Sequence, residues 1–347
     1  MDGVTSLNSS KRALKFPVCR KRRLIWSFSG LAIFVSLIGL ILCLINPSIK
    51  APLRPGLDFT GGTQIQLERL CDGPCQSISS EKISEVLRDL SLPSDEVEDA
   101  SSPNLSQSKV QLLDDSRSLV LRLPFLSASQ GQAVISAMDS VAGPFLPGGQ
   151  AVDTIGPSLG GQLLKSSVVS LFTAFVGIAI YISLRYDRSF AVLALIALAH
   201  DVLIVCGIFA WLGLFASLEV DSLFAVALLT IAGYSVNDTV VVFDRIRERT
   251  RLDSELPLSE QIDRAVSATL TRTLYTSGTT LLPLIALILF GGTTLYWFAI
   301  ALALGVVVGS WSSIALAPSL LSLRKANKTN SLVGDSLKED SAVNSQF

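Results

Sequence analysis

Long apolar runs alternate with polar segments along the chain, and each run is long enough to cross a membrane. A membrane-spanning helix needs about 20 consecutive, mostly apolar residues. Four runs satisfy that length, and a fifth has room for two helices because Gly291-Gly292-Thr293-Thr294 interrupts it. The pattern therefore predicts six transmembrane helices. The runs cover residues 24–49, 166–184, 189–214, 222–243 and 273–323.

Two prolines fall inside these predicted spans. Pro283 lies in the fifth span, and Pro318 lies near the end of the sixth. Because proline has no backbone N–H and its ring crowds the preceding turn, we expect a local kink at each position.

Lysine and arginine are distributed unevenly between the segments that separate the spans. They precede the first span and fill the connections after the second and fourth, whereas the connections after the third and fifth contain none. Cytoplasmic loops are enriched in these residues, so we expect both termini in the cytoplasm and the segment after the first span outside. The basic residues are Lys11, Arg12, Lys15, Arg20, Lys21, Arg22, Arg23, Arg185, Arg188, Arg245, Arg247, Arg249, Arg251, Arg264 and Arg272.

The segment between the first and second spans has the composition of a small soluble domain. Its apolar positions alternate where strands are expected and recur every three or four residues where helices are expected. The order strand, helix, strand, strand, helix, strand predicts a ferredoxin-like α+β domain. The strands are predicted at residues 63–68, 109–114, 118–123 and about 150–155, and the helices at 80–90 and 129–141.

The fold class expected from these patterns is a polytopic α-helical membrane protein with one external α+β domain. We expect the polar segments 1–15 and 325–347 to be disordered. The predicted parts are a basic cytoplasmic tail at 1–23, the first transmembrane helix at 24–49, the external domain at 50–164, a five-helix bundle at 165–323 and a cytoplasmic tail at 324–347.

Cys71 and Cys75 lie in the segment expected outside, where conditions are oxidising. They could form a local disulfide or remain two free thiols in a loop. The sequence leaves both interpretations open.

Composition and missing motifs narrow the range of functions. The 347 residues are 49% hydrophobic and 16% charged, and the net charge of −1 gives no sign of nucleic-acid binding. The sequence has no G-x-x-x-x-G-K-[ST] loop, and its only histidine is His200, so a His-dependent triad could be built only inside the membrane. We therefore expect neither an enzyme nor a resident metal or cofactor.

Two carboxylates inside apolar runs are the most informative residues. Asp201 lies at the middle of the third predicted span and Asp238 lies in the fourth. A charged side chain at the bilayer centre costs about 2.5–3.5 kcal/mol on insertion scales, so such residues usually pair or carry protons. We favour a proton-carrying role for Asp201. For Asp238, a proton-carrying role and a structural one stay open.

Further polar residues follow helical spacing on three spans. Three stripes that face one another would place these groups against protein and water rather than lipid. The alternative is that they only join helices by hydrogen bonds, which contribute about 0.6 kcal/mol each on average. We favour that alternative for the threonines and Asn237. The stripes contain His200 and Asp201 on span three, Thr230, Tyr234, Asn237 and Asp238 on span four, and Arg272, Thr276, Thr279 and Thr280 on span five.

Five motifs in the same order resemble the SecF family of bacterial protein-translocation subunits. They are GLDFTGGT (56–63), IGPSLG (155–160), ALAHD (197–201), GYSVNDTVVVFDRIRE (233–248) and RTLYTSGTT (272–280). The resemblance extends from the first span through the sixth. The first two motifs supply the family positions Asp58, Gly61, Gly62, Gly156 and Pro157.

The resemblance implies a function. SecF-like proteins pair with SecD in the bacterial inner membrane and are thought to use the proton motive force to promote late, outer-side steps of export through the SecYEG channel. The implied partners are SecD, SecYEG and the unfolded polypeptide in transit, with YajC as a further candidate. No nucleic-acid partner is implied.

The resemblance also implies roles for particular residues. Asp201 and Asp238 correspond to the intramembrane carboxylates of the family, and Arg245, Arg247 and Arg272 to charges near the cytoplasm. Which arginine joins the proton path stays open. We expect that six spans alone cannot fully shield the two carboxylates, so that a SecD-like partner covers one side of the bundle.

The sequence argues against two other functions. A proton-coupled exporter of small molecules or lipids from the same superfamily usually has twelve spans and two large outer domains, which this chain lacks. An intramembrane enzyme would need a nucleophile and a base. His200 and Asp201 are adjacent, so we expect their side chains to point about 100° apart on a helix, which argues against a relay.

Overall fold

A computed structural model describes residues 16–71, 73, 75–93, 103–114, 116–253 and 255–323. The tails predicted to be disordered, at 1–15 and 325–347, lie outside this range. The chain forms two compact units. One consists of Pro55–Val169, and the other consists of the chain before and after that segment.

The second unit is built on helices that are long and apolar enough to cross a membrane. Six such helices occur within the described part of the chain, as the apolar runs predict. The last span begins as α9 and continues through a π-helical turn at Ser312–Leu316. The helices are α1 (Arg22–Ile45), α5 (Pro157–Arg185), α6 (Arg188–Phe215), α7 (Ser222–Leu252), α8 (Leu258–Phe290) and α9 (Gly292–Trp311).

The helix ends differ from the ends of the apolar runs. Helix α1 ends at Ile45 rather than at residue 49, because Asn46 precedes Pro47 and a residue before proline is held in an extended conformation. At the other extreme, α7 and α8 continue well beyond their apolar residues, towards each other. A short connection around residue 255 joins them.

The first unit has the predicted ferredoxin-like topology. Its four strands form an antiparallel sheet in the order β2-β3-β1-β4, and two helices, α3 and α4, connect them. A short helix α2 (Leu57–Thr60) precedes the sheet. The elements are β1 (Gly62–Arg69), α3 (Ser80–Asp89), β2 (Lys109–Leu113), β3 (Ser118–Leu123), α4 (Ala128–Ala142) and β4 (Phe145–Ile155).

The core of this unit lies between one face of the sheet and the two helices, as expected from the apolar spacing. Strand β1 pairs with β3 on one side and with β4 on the other. Strand β4 is longer than predicted, because it begins at Phe145 rather than near residue 150. The fully buried side chains include Ile65, Leu67, Ile83, Leu87, Leu119, Leu121, Val134 and Met138.

Cys71 and Cys75, just after β1, are joined in a disulfide. Of the two interpretations that the sequence leaves open, the structure has the bridged form. The bridge closes a five-residue loop at the end of the central strand.

Small residues set the distances between the membrane helices. A Cβ at Gly39 of α1 would approach the Trp211 ring of α6 to 2.8 Å, and a Cβ at Gly207 of α6 would overlap Ser36 of α1. Likewise, a Cβ at Gly305 of α9 would overlap Ile231 of α7. Glycine therefore lets α1 pack closely on α6 and α9 on α7, which is a common way for helices to associate in lipid.

The π-helical turn lies just before Pro318. In it, the N–H of Ala317 donates to the carbonyl of Ser312, five residues back, instead of to residue 313. Proline cannot donate to the preceding turn, and local π geometry is one way in which a membrane helix accommodates it. The irregularity expected at Pro318 therefore takes the form of a wider turn that contains Ser312 and Ser313.

Candidate functional site

Asp201 lies at the centre of the membrane unit with none of its surface exposed. Its Oδ2 accepts hydrogen bonds from Ser235 Oγ of α7 at 2.6 Å and from Ser312 Oγ of the π-helical turn at 2.7 Å. Its Oδ1 lies 2.8 Å from His200 Nδ1. Three segments of the fold therefore converge on one carboxyl group.

The contact between His200 and Asp201 corrects an expectation from the sequence. The two Cα–Cβ bonds diverge along α6, but Nδ1 is close to the backbone end of the imidazole ring, so the ring can turn back to meet the neighbouring carboxylate. His200 Nε2 is buried and has no hydrogen-bond partner among the described residues. A relay would need a nucleophile at that nitrogen, and the described part of the chain places none there.

Asp238, on the next helix, is buried beside the same π-helical turn. It is 6% exposed, and its Oδ2 accepts a hydrogen bond from Ser313 Oγ at 3.0 Å. Adjacent serines of one turn thus bind the two intramembrane carboxyl groups, Ser312 on Asp201 and Ser313 on Asp238.

A second set of hydroxyl groups extends from this site towards α8. Tyr234 Oη donates to Ser277 Oγ at 3.1 Å, and Ser277 Oγ lies 2.5 Å from Ser310 Oγ of α9. Ser310 in turn offers its carbonyl to Ser313 Oγ at 3.2 Å. These hydrogen-bonded groups form a polar layer that consists of Tyr234, Ser277, Ser310 and Ser313. Tyr234 is at the end of this layer that is farthest from Asp238 along the chain of hydrogen bonds.

Several residues of the predicted stripes take no part in these hydrogen bonds. Thr230, Asn237 and Arg272 are exposed on the surface of this chain. Thr276 Oγ1 donates to the carbonyl of Thr273 in its own helix, 2.9 Å away. The structure therefore brings together His200, Asp201, Tyr234 and Asp238, and does not place the threonines of α8 or Asn237 beside them.

The arginines at the end of α7 lie outside the polar layer. Arg245 Nη1 forms an ion pair with Glu248 Oε2 at 2.6 Å, and Arg247 is half-buried. The family positions Asp58, Gly61, Gly62, Gly156 and Pro157 belong to the other compact unit.

One of those positions, Gly61, lies where the start of α5 packs against the loop before β1. A Cβ at Gly160 would lie 2.8 Å from the backbone nitrogen of Gly61, so only glycine permits this approach. Gly62 has a φ of 127°, in the region that favours glycine, and its missing side chain faces the Leu123 carbonyl.

The structure also corrects the expectation that six spans leave the carboxyl groups partly unshielded. At 0% and 6% exposure, Asp201 and Asp238 are shielded within this single chain. The sequence could not show this because the residues that bind the carboxyl groups, Ser235, Ser312 and Ser313, carry no periodic signal. Among the described residues, no group of three or more His, Cys, Asp or Glu is arranged to hold a metal ion.

Comparison with known proteins connects this site to a family. Residues 148–327 match the family model for the C-terminal region of the protein export membrane proteins SecD/SecF, and residues 49–68 match the SecD/SecF GG motif. The SecF subunit of the protein translocase from Prochlorococcus marinus is 59% identical over 312 residues, which are 90% of this chain and 96% of that protein. The chain belongs to the SecF family.

Other relatives support the assignment. SecF from Synechocystis is 41% identical over 295 residues, which are 85% of this chain and 90% of that protein. The crystal structure of SecDF from Thermus thermophilus superposes with a TM-score of 0.72 at 30% identity. That match covers 90% of this chain and 39% of the SecDF chain, so this SecF-family protein spans well under half of SecDF. These relatives are subunits of a protein translocase and a translocon-associated membrane protein, so all of them are transport components.

Proposed function

We propose that this SecF-family protein acts with SecD to convert the proton motive force into late, outer-side steps of protein export through SecYEG. It would do so in the bacterial inner membrane, with both termini in the cytoplasm. Membership of the SecF family supports the assignment as a subunit of the protein translocase. The use of the proton motive force, the action on SecYEG and the cytoplasmic location of the termini are proposed here.

The observation that carries the proposal is the pair of buried carboxyl groups. Asp201 and Asp238 lie on neighbouring helices of the membrane unit, and hydroxyl donors reach both of them. A carboxyl group used only to join helices would be an expensive choice, because the same bonds are available to uncharged side chains. Asp201, Asp238 and His200 are side chains of this site that can bind and release protons and could therefore respond to the proton gradient.

The energy available is adequate for a conformational step. One elementary charge that crosses a membrane potential of 100 mV releases about 2.3 kcal/mol. An equilibrium between two states of similar free energy changes by a factor of about ten for every 1.4 kcal/mol. One proton per cycle would therefore be enough to bias a movement of the bundle.

Partnership with SecD is supported by the relatives, and the bundle has exposed helices that such a partner could cover. In the most apolar parts of α5 and α8, only 6% and 17% of residues are buried in this chain, against 50% in α6. SecDF relatives carry a SecF-like part in a longer chain. We propose that SecD covers the α5 and α8 surfaces.

The proposal is tested by Asp201→Asn, which keeps the size of the side chain and removes its titratable proton. Asp244→Asn is the matched control, because Asp244 is half-exposed on α7 and pairs with Arg185 at 3.9 Å. Both variants are co-expressed with SecD and purified through a tag on the full chain. Export is then measured in inverted membrane vesicles with and without a proton gradient.

We expect Asp201→Asn to co-purify with SecD and SecYEG at the wild-type level and to lose gradient-dependent export by at least about tenfold. Export driven by ATP alone, and all activities of Asp244→Asn, should persist. Normal gradient-dependent export by a well-expressed Asp201→Asn protein would show that Asp201 is structural. Failure of SecD to co-purify with the wild-type chain would contradict the proposed partnership.

A further inference from the structure

The two serines of the π-helical turn have a feature in common that goes beyond their contacts with the carboxyl groups. Each hydroxyl has a second acceptor in its own helix. Ser312 Oγ lies 2.7 Å from Asp201 Oδ2 and 3.0 Å from the carbonyl of Gly309. Ser313 Oγ lies 3.0 Å from Asp238 Oδ2 and 3.2 Å from the carbonyl of Ser310.

A serine hydroxyl has one proton to donate and two lone pairs that can accept. When the carboxyl group is ionised, the hydroxyl donates to it. When the carboxyl group is protonated, its own O–H can donate to the serine oxygen, and the serine proton turns to the helix carbonyl. Either way every donor has an acceptor, and only the hydroxyl proton has moved.

A hydroxyl that can either donate or accept a hydrogen bond suits a carboxyl group that changes its protonation state inside the membrane. A buried polar group that loses its partner costs roughly 1–3 kcal/mol, and more if it is charged. A site built only for the carboxylate, such as one lined by backbone N–H groups, would oppose protonation. A site with reversible donors holds both forms in the same place.

We propose that Ser312 and Ser313 are positioning residues that keep Asp201 and Asp238 hydrogen-bonded in both protonation states. The inference rests on the proposed proton-carrying function and names residues for it. The two positions are independent, because each serine contacts a different carboxyl group.

Other titratable or charged groups near the pair are few among the described residues. His200 contacts Asp201 from α6, and Tyr234 lies on α7 in the adjoining polar layer. Arg272 of α8 is within electrostatic reach of Asp238. The π-helical turn itself contributes only uncharged side chains to the site, as its sequence is Ser312-Ser-Ile-Ala-Leu316.

The inference is tested by infrared difference spectroscopy of the full chain with SecD in lipid vesicles. Spectra recorded at low and high pH show the C=O stretch of carboxyl groups that become protonated. The Asp201 band is the one that disappears in Asp201→Asn. It is then followed in Ser312→Ala, in Ser312→Thr, which restores the hydroxyl, and in the control Ser319→Ala. Ser319 is equally buried in the same span; its hydroxyl donates to the Leu316 carbonyl and accepts from Trp26 Nε1 of α1, and neither partner is a carboxyl group.

We expect Ser312→Ala to move the Asp201 band to higher frequency, because the protonated carboxyl group loses a hydrogen-bond partner. Ser312→Thr and Ser319→Ala should leave it in place. Gradient-dependent export by Ser312→Ala should fall by roughly tenfold, as expected for the loss of one hydrogen bond to a charged group. Ser313→Ala should have the same effects on the Asp238 band, which gives an independent test if either protein folds poorly.

An unmoved Asp201 band in Ser312→Ala would overturn the inference, as would the absence of an Asp201 band from the wild-type protein at every pH. The two proposals can fail separately. If the bands shift as expected but export does not depend on the proton gradient, the role of the serines is supported and the proposed function is contradicted. If export depends on the gradient but the Asp201 band does not move in Ser312→Ala, the proposed function is supported and the role of the serine is contradicted.

Discussion

Asp201 is held by side chains from three segments: His200 beside it on α6, Ser235 on α7 and Ser312 on the π-helical turn. A hydrogen bond to a charged group contributes about 1.5–3 kcal/mol, and placing the charge at mid-membrane costs about 2.5–3.5 kcal/mol. Two or three such bonds therefore offset the insertion cost. The carboxylate is tolerated only when α6, α7 and the turn have assembled.

The thiol of Cys19, just before α1, has a raised pKa whose effect on reactivity can be measured. Burial, followed by the negative charge of Asp263, raises the pKa of this thiol to about 12 from an ordinary value of 9.0. The reactive form is the thiolate, so an ordinary thiol would hold roughly a thousand times more of it at neutral pH. We expect Cys19 to resist alkylation at pH 7–8 and to react faster as the pH rises, as followed by mass spectrometry of the labelled peptide.

Asp263→Asn should increase that alkylation rate. The substitution removes the charge that disfavours the thiolate and keeps an acceptor for the Cys19 N–H, which now donates to Asp263 Oδ1 at 2.9 Å. Glu260→Gln on the same helix is the control, because Glu260 pairs with Arg264 and does not contact Cys19. Equal rates in the two variants would show that burial alone protects the thiol.

The sequence identified the carboxyl groups of the site but not their partners. Asp201 and Asp238 stand out because a charge inside an apolar run needs a reason. Ser312 and Ser313 do not stand out, since a serine in a helix usually satisfies itself on the carbonyl one turn back. The one local signal was Pro318, which predicts an irregular turn but does not say which side chains the turn presents.

At the scale of elements, the contact between α7 and α9 determines whether the π-helical turn can reach the carboxyl groups. At Gly305, Ile231 occupies the space that a side chain would need. We expect Gly305→Ala to destabilise the protein by about 1–3 kcal/mol, since overpacking forces the helices apart. The measurement is thermal unfolding of the purified complex with SecD.

Two further variants separate crowding from other effects of that substitution. Gly278→Ala on α8 is the control, because a Cβ there has open space around it. Ile231→Ala should partly rescue Gly305→Ala in a double-mutant cycle, since it vacates the contested volume. Equal unfolding temperatures for Gly305→Ala and Gly278→Ala would mean that α7 and α9 can move apart without loss.

The elements themselves were largely predictable, and their ends were not. Hydropathy identifies the spans because it measures the match of a segment to lipid. It does not measure helix formation, so it missed the polar continuations of α7 to Leu252 and of α8 back to Leu258. In the ferredoxin-like unit, alternation located β1 and β3 well, whereas the exposed strand β4 has little alternation and was recognised only in its second half.

At the scale of the whole molecule, the proposed orientation leads to a direct test. If the basic connections face the cytoplasm, a reporter fused after residue 120 should be external and one fused after residue 255 should be cytoplasmic. A third fusion after residue 217, in the connection between α6 and α7, should match the first. A cytoplasmic signal from residue 120 would reverse the arrangement of all six spans.

A single sequence does not reveal which molecule covers the exposed surfaces of α5 and α8. Exposed apolar residues on α5 and α8 are suited equally to lipid and to another protein. Only the SecDF relatives, in which a SecF-like part belongs to a longer chain, favour one occupant over the other.

The pairing of β1 with β4 has a mechanical consequence. Gly62, at the start of β1, is opposite Ile155, at the end of β4. The chain therefore leaves the sheet towards α1 and towards α5 from the same end of one antiparallel pair. A force that pulls Gly62 and Ile155 apart would break the hydrogen bonds between β1 and β4 one after another, starting at that end. A force along the strands would instead load all of these bonds at once. The β1–β4 pair should therefore separate under a smaller force in that direction than when it is pulled along the strands.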